Sequence, residues 1–183
     1  MANFLTCFNW TMGSEDAGRK YATVADPVRV LDTDTPEVAA LKRNAQSISG
    51  INSYSWPKEF AFINSLPLDQ RAVPVQAFYY ANFWNHWYAQ LTSNDVAKRV
   101  FDMAVNGGPG TAVKLLQKAV NDQRGEIWLE TDGIWGPLTI SEVNDCDPTD
   151  LVPVFQQCRI AYYKAIPNAS PQLLAEWIAR AEK

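Results

Sequence analysis

Apolar side chains recur at three- and four-residue steps along most of this 183-residue chain. That spacing places them on one face of an α-helix. Hydroxyl side chains that can cap a helix come directly before several of these stretches, as at Thr35-Pro36, Ser93-Asn94 and Ser170-Pro171. The pattern predicts a mainly α-helical domain. The predicted helices cover residues 3–14, a segment from Thr35, a segment from Pro57, 69–91, 93–107, a segment from Pro109 to about Val120, a segment from Thr149 or Asp150 to about Ile166, and a segment from Ser170.

The longest periodic segment is 69–91, and its spacing predicts an inward face that includes Val73, Ala77, Tyr80 and Trp84. The helix that follows Thr35 is expected to turn Val38, Leu41 and Ala45 inward. Residues 21–32 are expected to form at most a small, irregular β hairpin.

Proline and glycine are scattered along the chain, with no linker and no internal repeat. We therefore expect one compact domain built from two sequence modules, residues 1–92 and 93–183.

Composition excludes several classes of protein. The chain is 47% hydrophobic and 20% charged, which is typical of a folded protein. Its net charge of −4 argues against a nucleic-acid partner, since such proteins need clustered Lys and Arg. No apolar run approaches the length of a membrane span. The first dozen residues lack the features of a secretory signal, so we expect synthesis in the cytoplasm.

Cysteine and histidine are few. The odd set Cys7, Cys146 and Cys158 indicates free, buried or partly buried thiols, with a Cys146–Cys158 bridge as the alternative. His86 is the one histidine, which leaves few ligands for a zinc site, and we expect no metal and no cofactor.

A carboxylate stands at the end of the first predicted helix. Glu15 follows the apolar run of residues 4–12, opens a glycine-bearing turn, and precedes a second carboxylate, Asp26. Lysozyme-type active sites begin with this arrangement. Cleavage of a glycosidic bond needs an acid for the leaving oxygen and a second group to stabilise the oxocarbenium ion or position a water.

The chain resembles glycoside hydrolase family 108, the phage endolysin and secretion-activator muramidases. Glu15, Tyr21 and Asp26 stand for the family's Glu-Gly-Gly-Tyr opening and turn Asp, and residues 47–52 stand for its Thr-x-x-Gly-Ile segment. Further matches are Tyr80…Phe83-Trp84, residues 101–107 (Phe-Asp-Met-Ala-Val-Asn-Gly), Ala112…Leu116-Gln117, residues 132–139 (Asp-Gly-Ile-Trp-Gly-Pro-Leu-Thr), Arg159…Tyr162-Tyr163 and Glu176-Trp177…Arg180-Ala181.

This resemblance implies a lysozyme-like catalytic module followed by a predicted peptidoglycan-binding helical module. It implies a muramidase that cleaves between N-acetylmuramic acid and N-acetylglucosamine in peptidoglycan glycan strands, as a monomer, after export assisted by a holin or another route. The catalytic residues would be Glu15 and Asp26. The substrate-binding residues would be Tyr21, Ser47, Ser49, Asn52, Tyr79 and Asn106.

Each assignment has a structural alternative. Asp26 precedes a proline and could be an ordinary turn residue, and Ser47, Ser49 and Asn52 could cap loops. The aromatic stripe that contains Tyr79 fits a core as well as a sugar groove. Asp102 and Asn106 share a helix face and either close a cleft or cap the helix end. The alternative function is a non-catalytic wall-binding or secretion-accessory protein.

Overall fold

Helices begin where the capping residues predict. The computed structural model describes residues 1–16 and 18–183. In it the side chains of Thr35, Ser93 and Ser170 each accept a hydrogen bond from a backbone N–H of the following first turn. The mainly α-helical fold is thereby confirmed. The helices are α1 (Phe4–Glu15), α2 (Pro36–Arg43), α3 (Pro57–Asn64), α4 (Ala72–Phe83), α5 (Asn94–Gly107), α6 (Pro109–Arg124), α7 (Pro137–Asp145), α8 (Pro148–Lys164) and α9 (Pro171–Ala181), with short 3₁₀ helices at Leu68–Gln70 and Tyr88–Gln90.

The chain divides into two compact units. Residues 12–82 form the first, which we call the sheet unit, and residues 1–11 with 83–183 form the second, which we call the helical unit. The assignment of catalytic and wall-binding roles to residues 1–92 and 93–183 stays a prediction.

A small antiparallel sheet lies in the sheet unit. Its strands are β1 (Thr23–Ala25), β2 (Gln46–Ile48) and β3 (Ile51–Asn52), in the order β1-β2-β3. The expectation of a local hairpin within 21–32 is wrong, because β1 pairs with the distant β2. The hairpin is formed by β2 and β3, whose two-residue turn has both residues at positive φ, the geometry that suits strand twist. Strands this short show no alternation from which pairing could be predicted.

Isoleucines from the sheet and from α3 form the core of the sheet unit. Ile48, Ile51 and Ile63 are almost fully buried together with Val75 and Phe78 of α4. Each such side chain stabilises the fold by about 1.5–3 kcal/mol relative to exposure.

The predicted face of α4 is wrong, and that of the helix after Thr35 is wrong at Leu41, although Ala45 is buried as predicted. In α4 the side chains of Val73 and Tyr80 are 73% and 54% exposed, and the helix ends at Phe83. This segment is apolar almost all round, so its spacing fits several faces and tertiary packing decides between them. In α2 Leu41 is exposed, and Lys42 is buried instead because its ammonium pairs with Asp34 at 2.8 Å.

In the helical unit, α5 packs against α6 and α8, and α9 packs against α8. The apolar face of α5, formed by Val96, Val100, Phe101 and Ala104, is buried. Phe4 of α1 adds an aromatic cluster, with its ring centroid 5.5 Å from Trp84 and 6.0 Å from Phe101. Helix α7 was missed, although its first residue is a proline after a glycine.

Asp102 neither closes a cleft nor caps a helix end. It is fully buried and accepts hydrogen bonds from Arg159 at 2.7 Å and from Arg180 at 2.7 Å. Arg159 is also fully buried. The carboxylate thus joins α5 to α8 and α9 through buried charges, which are costly to separate.

The three cysteines are free and buried, which confirms the main interpretation. Burial raises the pKa of the Cys7 thiol to about 12 and that of Cys158 to about 11. Across residues 1–16 and 18–183, no helix combines the length and the apolar character needed to cross a membrane.

Candidate active site

The carboxylate of Glu15 lies against the β2–β3 turn. Glu15 is the last residue of α1 and is partly exposed. The turn residues Ser49 and Gly50 have φ values of +48° and +81°. A Cβ atom added to Gly50 would collide with Oε2 of Glu15 and would lie 2.8 Å from the Tyr79 hydroxyl. Position 50 therefore requires glycine for two reasons, the backbone conformation and the close approach of the Glu15 carboxylate.

Tyr79 holds this turn in place. Its side chain is almost fully buried, and its hydroxyl donates a hydrogen bond of 2.6 Å to the carbonyl oxygen of Ser49. The buried ring is not available as a sugar platform, but the hydroxyl lies near Gly50. A contact between Tyr79 and substrate stays a prediction.

Asp16 joins the Glu15 loop to the same turn, and the sequence analysis did not select it. Its carboxylate accepts hydrogen bonds from the Ser49 hydroxyl at 2.8 Å and from the backbone N–H groups of Lys20 and Tyr21 at 2.8 and 3.0 Å. Local bonds from an Asp side chain to nearby backbone are common in loops. The bond to Ser49, thirty-three residues away, carried no sequence signal.

Arg71 fixes the far side of this loop. Its guanidinium donates to the carbonyl oxygen of Tyr21 at 3.2 Å and to the Thr23 hydroxyl at 2.9 Å. It also donates to the carbonyl oxygens of Leu66 and Asn64 at 3.0 Å each. The loop after Glu15 is thus held from both sides by charged groups, which make the stronger hydrogen bonds.

Asp26, Ser47 and Asn52 come together on one face of the sheet. Ser47 pairs with Asn52, and the backbone N–H of Asp26 bonds to the carbonyl oxygen of Ala45, two residues from Ser47. The Asn52 amide donates to the Asp26 carboxylate at 2.9 Å. Asn52 is buried, so it is suited to orient Asp26, and Ser47 is buried opposite Asn52. Their direct contact with substrate stays a prediction.

The strand register separates Asp26 from the turn that contacts Glu15. Ala45, opposite Asp26, lies three residues before Ile48, the last residue of β2, where the turn begins. This corresponds to roughly 10 Å along the strand. The structure therefore places the two predicted catalytic carboxylates in one unit but toward opposite ends of the sheet.

Asn106 belongs to the helical unit, where its amide donates a hydrogen bond of 2.8 Å to the Tyr163 hydroxyl. Its predicted role in substrate binding stays a prediction. Within residues 1–16 and 18–183, no group of three His, Cys, Asp or Glu side chains is arranged to hold a metal ion.

The fold is shared with a solved structure. A structure of SagA from Brucella abortus superposes with a TM-score of 0.60 at 19% sequence identity, covering 98% of this chain and 93% of that chain. At this identity the likeness shows the fold alone. No curated protein matches the chain.

A family model for glycosyl hydrolase 108 matches residues 39–108 of this chain. The matched segment contains the β2–β3 turn, Tyr79 and Asn106, whereas Glu15 and Asp26 precede it. The match supports a glycoside hydrolase, in agreement with the resemblance found in the sequence.

Proposed function

We propose that this protein is a peptidoglycan hydrolase of the N-acetylmuramidase type, with Glu15 as its general acid. The observation that carries the proposal is the placement of the Glu15 carboxylate against Gly50, beside the Tyr79 hydroxyl. A helix end and a tight turn fix this carboxylate from two directions while it stays partly exposed. Such fixed geometry favours proton transfer to a bound substrate.

In the proposed reaction, Glu15 gives its proton to the oxygen that bridges N-acetylmuramic acid and N-acetylglucosamine. The bond from that oxygen to the anomeric carbon of N-acetylmuramic acid breaks, and water adds to this carbon as one of its O–H bonds breaks and the proton passes to a carboxylate of the site. Positive charge that develops on the sugar ring needs a nearby negative or dipolar group. We assign Asp26 to orienting the attacking water, because Asn52 holds its carboxylate and its position away from the turn leaves room for a water between the two carboxylates.

The substrate assignment is supported by the family match over residues 39–108 and by the sequence resemblance to endolysin-type muramidases. Such an enzyme would act on the cell wall after assisted export. The negative net charge gives no long-range attraction to an anionic wall, so binding would depend on contacts within the site.

Reducing-end release from purified peptidoglycan tests the proposal. We expect the parent protein to release muramic acid reducing ends, identified by product mass. In Glu15→Gln, which keeps the shape and removes the acid, we expect the rate to fall by at least ~10². Co-sedimentation of the mutant with peptidoglycan should be largely retained.

Two outcomes would contradict the proposal. A folded Glu15→Gln protein that lyses as fast as the parent would exclude Glu15 as the acid. A parent protein that sediments with peptidoglycan and releases no reducing ends would instead be the non-catalytic wall-binding protein.

A further inference from the structure

A pocket of about 510 Å³ lies beside the loop that follows Glu15. Its walls come from two segments of the sheet unit. Lys20 and Tyr21 line it from the loop, and Leu68, Asp69 and Ala72 line it from the 3₁₀ helix and the start of α4. The backbone N–H of Lys20 bonds to Asp16 at 2.8 Å, and Asp16 directly follows Glu15. The loop that lines the pocket is therefore bonded to the residue next to the proposed acid.

The loop wall of this pocket has an unusual backbone. Lys20 and Tyr21 have φ values of +52° and +64°, a region that residues other than glycine rarely adopt. The conformation is maintained by the Asp16 carboxylate, which accepts from both N–H groups, and by Arg71, which donates to the Tyr21 carbonyl. Strained residues that several surrounding interactions hold in place cluster at binding and catalytic sites.

The pocket presents one charge of each sign. Lys20 supplies an ammonium group and Asp69 a carboxylate, and both residues are exposed. Within the part of the chain that the structure describes, neither side chain has an ion-pair partner. Leu68 and Ala72 add apolar surface to the pocket, and Tyr21 adds an aromatic ring. The complementary ligand has a carboxylate, an amine and small apolar groups.

We propose that this pocket binds the peptide stem carried by the muramic acid residue next to the scissile bond; the inference rests on the proposed function. A stem peptide carries carboxylates, the amine of its diamino acid and alanine methyl groups. Lys20 binds a stem carboxylate, Asp69 binds the amine, and the methyl groups pack on Leu68 and Ala72. An uncharged sugar ring could hydrogen-bond to both side chains but would supply no opposite charge to either. Stem recognition would make the enzyme prefer stem-bearing strands over bare glycan.

Two substrates test this preference: soluble glycan strands that carry their peptide stems, and the same strands after an amidase has removed the stems. The variants are Lys20→Gln and Asp69→Asn, with Lys58→Gln and Asp32→Asn as matched controls. Lys58 and Asp32 are exposed residues of the same unit that do not line the pocket. Reducing-end release gives kcat and KM for each protein on each substrate. Circular dichroism confirms that each variant is folded.

We expect each pocket variant to raise KM for stem-bearing strands about tenfold, the scale of losing one charge-assisted hydrogen bond. We expect kcat to change little, bare strands to be cut as by the parent, and the controls to behave as the parent. An equal rise in KM on bare strands would overturn the proposal in favour of a sugar site. Unchanged KM on both substrates would also overturn it.

A binding measurement separates this inference from the proposed function. A synthetic stem tripeptide that ends in a diamino acid is titrated into the parent and each variant, followed by calorimetry. We expect binding to the parent and weaker binding to Lys20→Gln and Asp69→Asn. Tripeptide binding by a parent that cuts neither substrate would overturn the muramidase function and support the pocket. Cleavage of both substrates without tripeptide binding would overturn the pocket and leave the muramidase function intact.

Discussion

Replacing Gly50 by alanine would put a methyl group where the Glu15 carboxylate now lies. The added Cβ would collide with Oε2 of Glu15 and would approach the Tyr79 hydroxyl to 2.8 Å, closer than real Cβ contacts come. Because Tyr79 is buried and bonded to Ser49, the partly exposed carboxylate is the group that must move. We therefore expect Gly50→Ala to displace the proposed acid without removing it.

The magnitude follows from two separate costs. Alanine at a φ of +81° destabilises the fold by about 1–2 kcal/mol, the penalty for a left-handed backbone. To regain van der Waals separation the carboxylate must shift by roughly 1 Å. A displacement of that size at a catalytic group lowers the rate on the order of 10²-fold.

Gly125→Ala is the matched control. Gly125 has a φ of +74°, and a Cβ added there meets nothing within 4 Å. The Gly125→Ala variant has the same backbone cost without the collision. Its free energy of unfolding in urea should fall by a similar amount, and its rate of reducing-end release should stay at that of the parent. A folded Gly50→Ala protein that works within about threefold of the parent, well short of the 10²-fold loss expected for a 1 Å misplacement, would refute the argument that Glu15 is positioned by this turn.

Three further predictions concern other charged or titratable groups. Asp26→Asn should lower the rate of reducing-end release by about tenfold, less than the roughly 10²-fold expected for loss of a general acid or base, because Asp26 only orients water; a parent-like rate would make Asp26 a turn residue only. Asp102→Ala should lower the free energy of unfolding by about 3–5 kcal/mol, because Arg159 would stay buried without its counter-charge; a loss well below that range in urea unfolding would contradict this. Cys7 and Cys158 should resist iodoacetamide at pH 8 in the folded protein and react once it is unfolded, because their raised pKa values of about 12 and 11 keep them as thiols; rapid native labelling, read by mass spectrometry, would be the opposite result.

The sequence predicted those features that depend on local chemistry. Thr35, Ser93 and Ser170 cap helices because a hydroxyl beside the first turn satisfies free N–H groups wherever the helix packs. The end of α1 at Glu15 was predicted to within one residue because the apolar run ends there and a glycine-bearing turn follows. The role of Glu15 in catalysis remains a prediction.

Features that depend on distant partners could not be predicted. The pairing of β1 with β2 joins segments about twenty residues apart, and three-residue strands give no periodic signal. The burial of Lys42 depends on Asp34, and the importance of Asp16 and Arg71 depends on which backbone groups the fold brings beside them. Lys42, Asp16 and Arg71 are polar side chains whose surroundings are decided by tertiary structure. The pattern of apolar residues reports only local periodicity.

The residues that contact the two ends of α1 are synthesised at different times. Glu15 meets Gly50 and Tyr79, so these two contacts can form once the first eighty or so residues have left the ribosome. Ala2 bonds to Leu91, and the ring of Phe4 packs on Phe101, so that end must wait for α5. Contacts this distant in sequence form late, since a long loop must close first. The proposed acid would therefore reach its position during synthesis, before the opposite end of α1 has its packing partners.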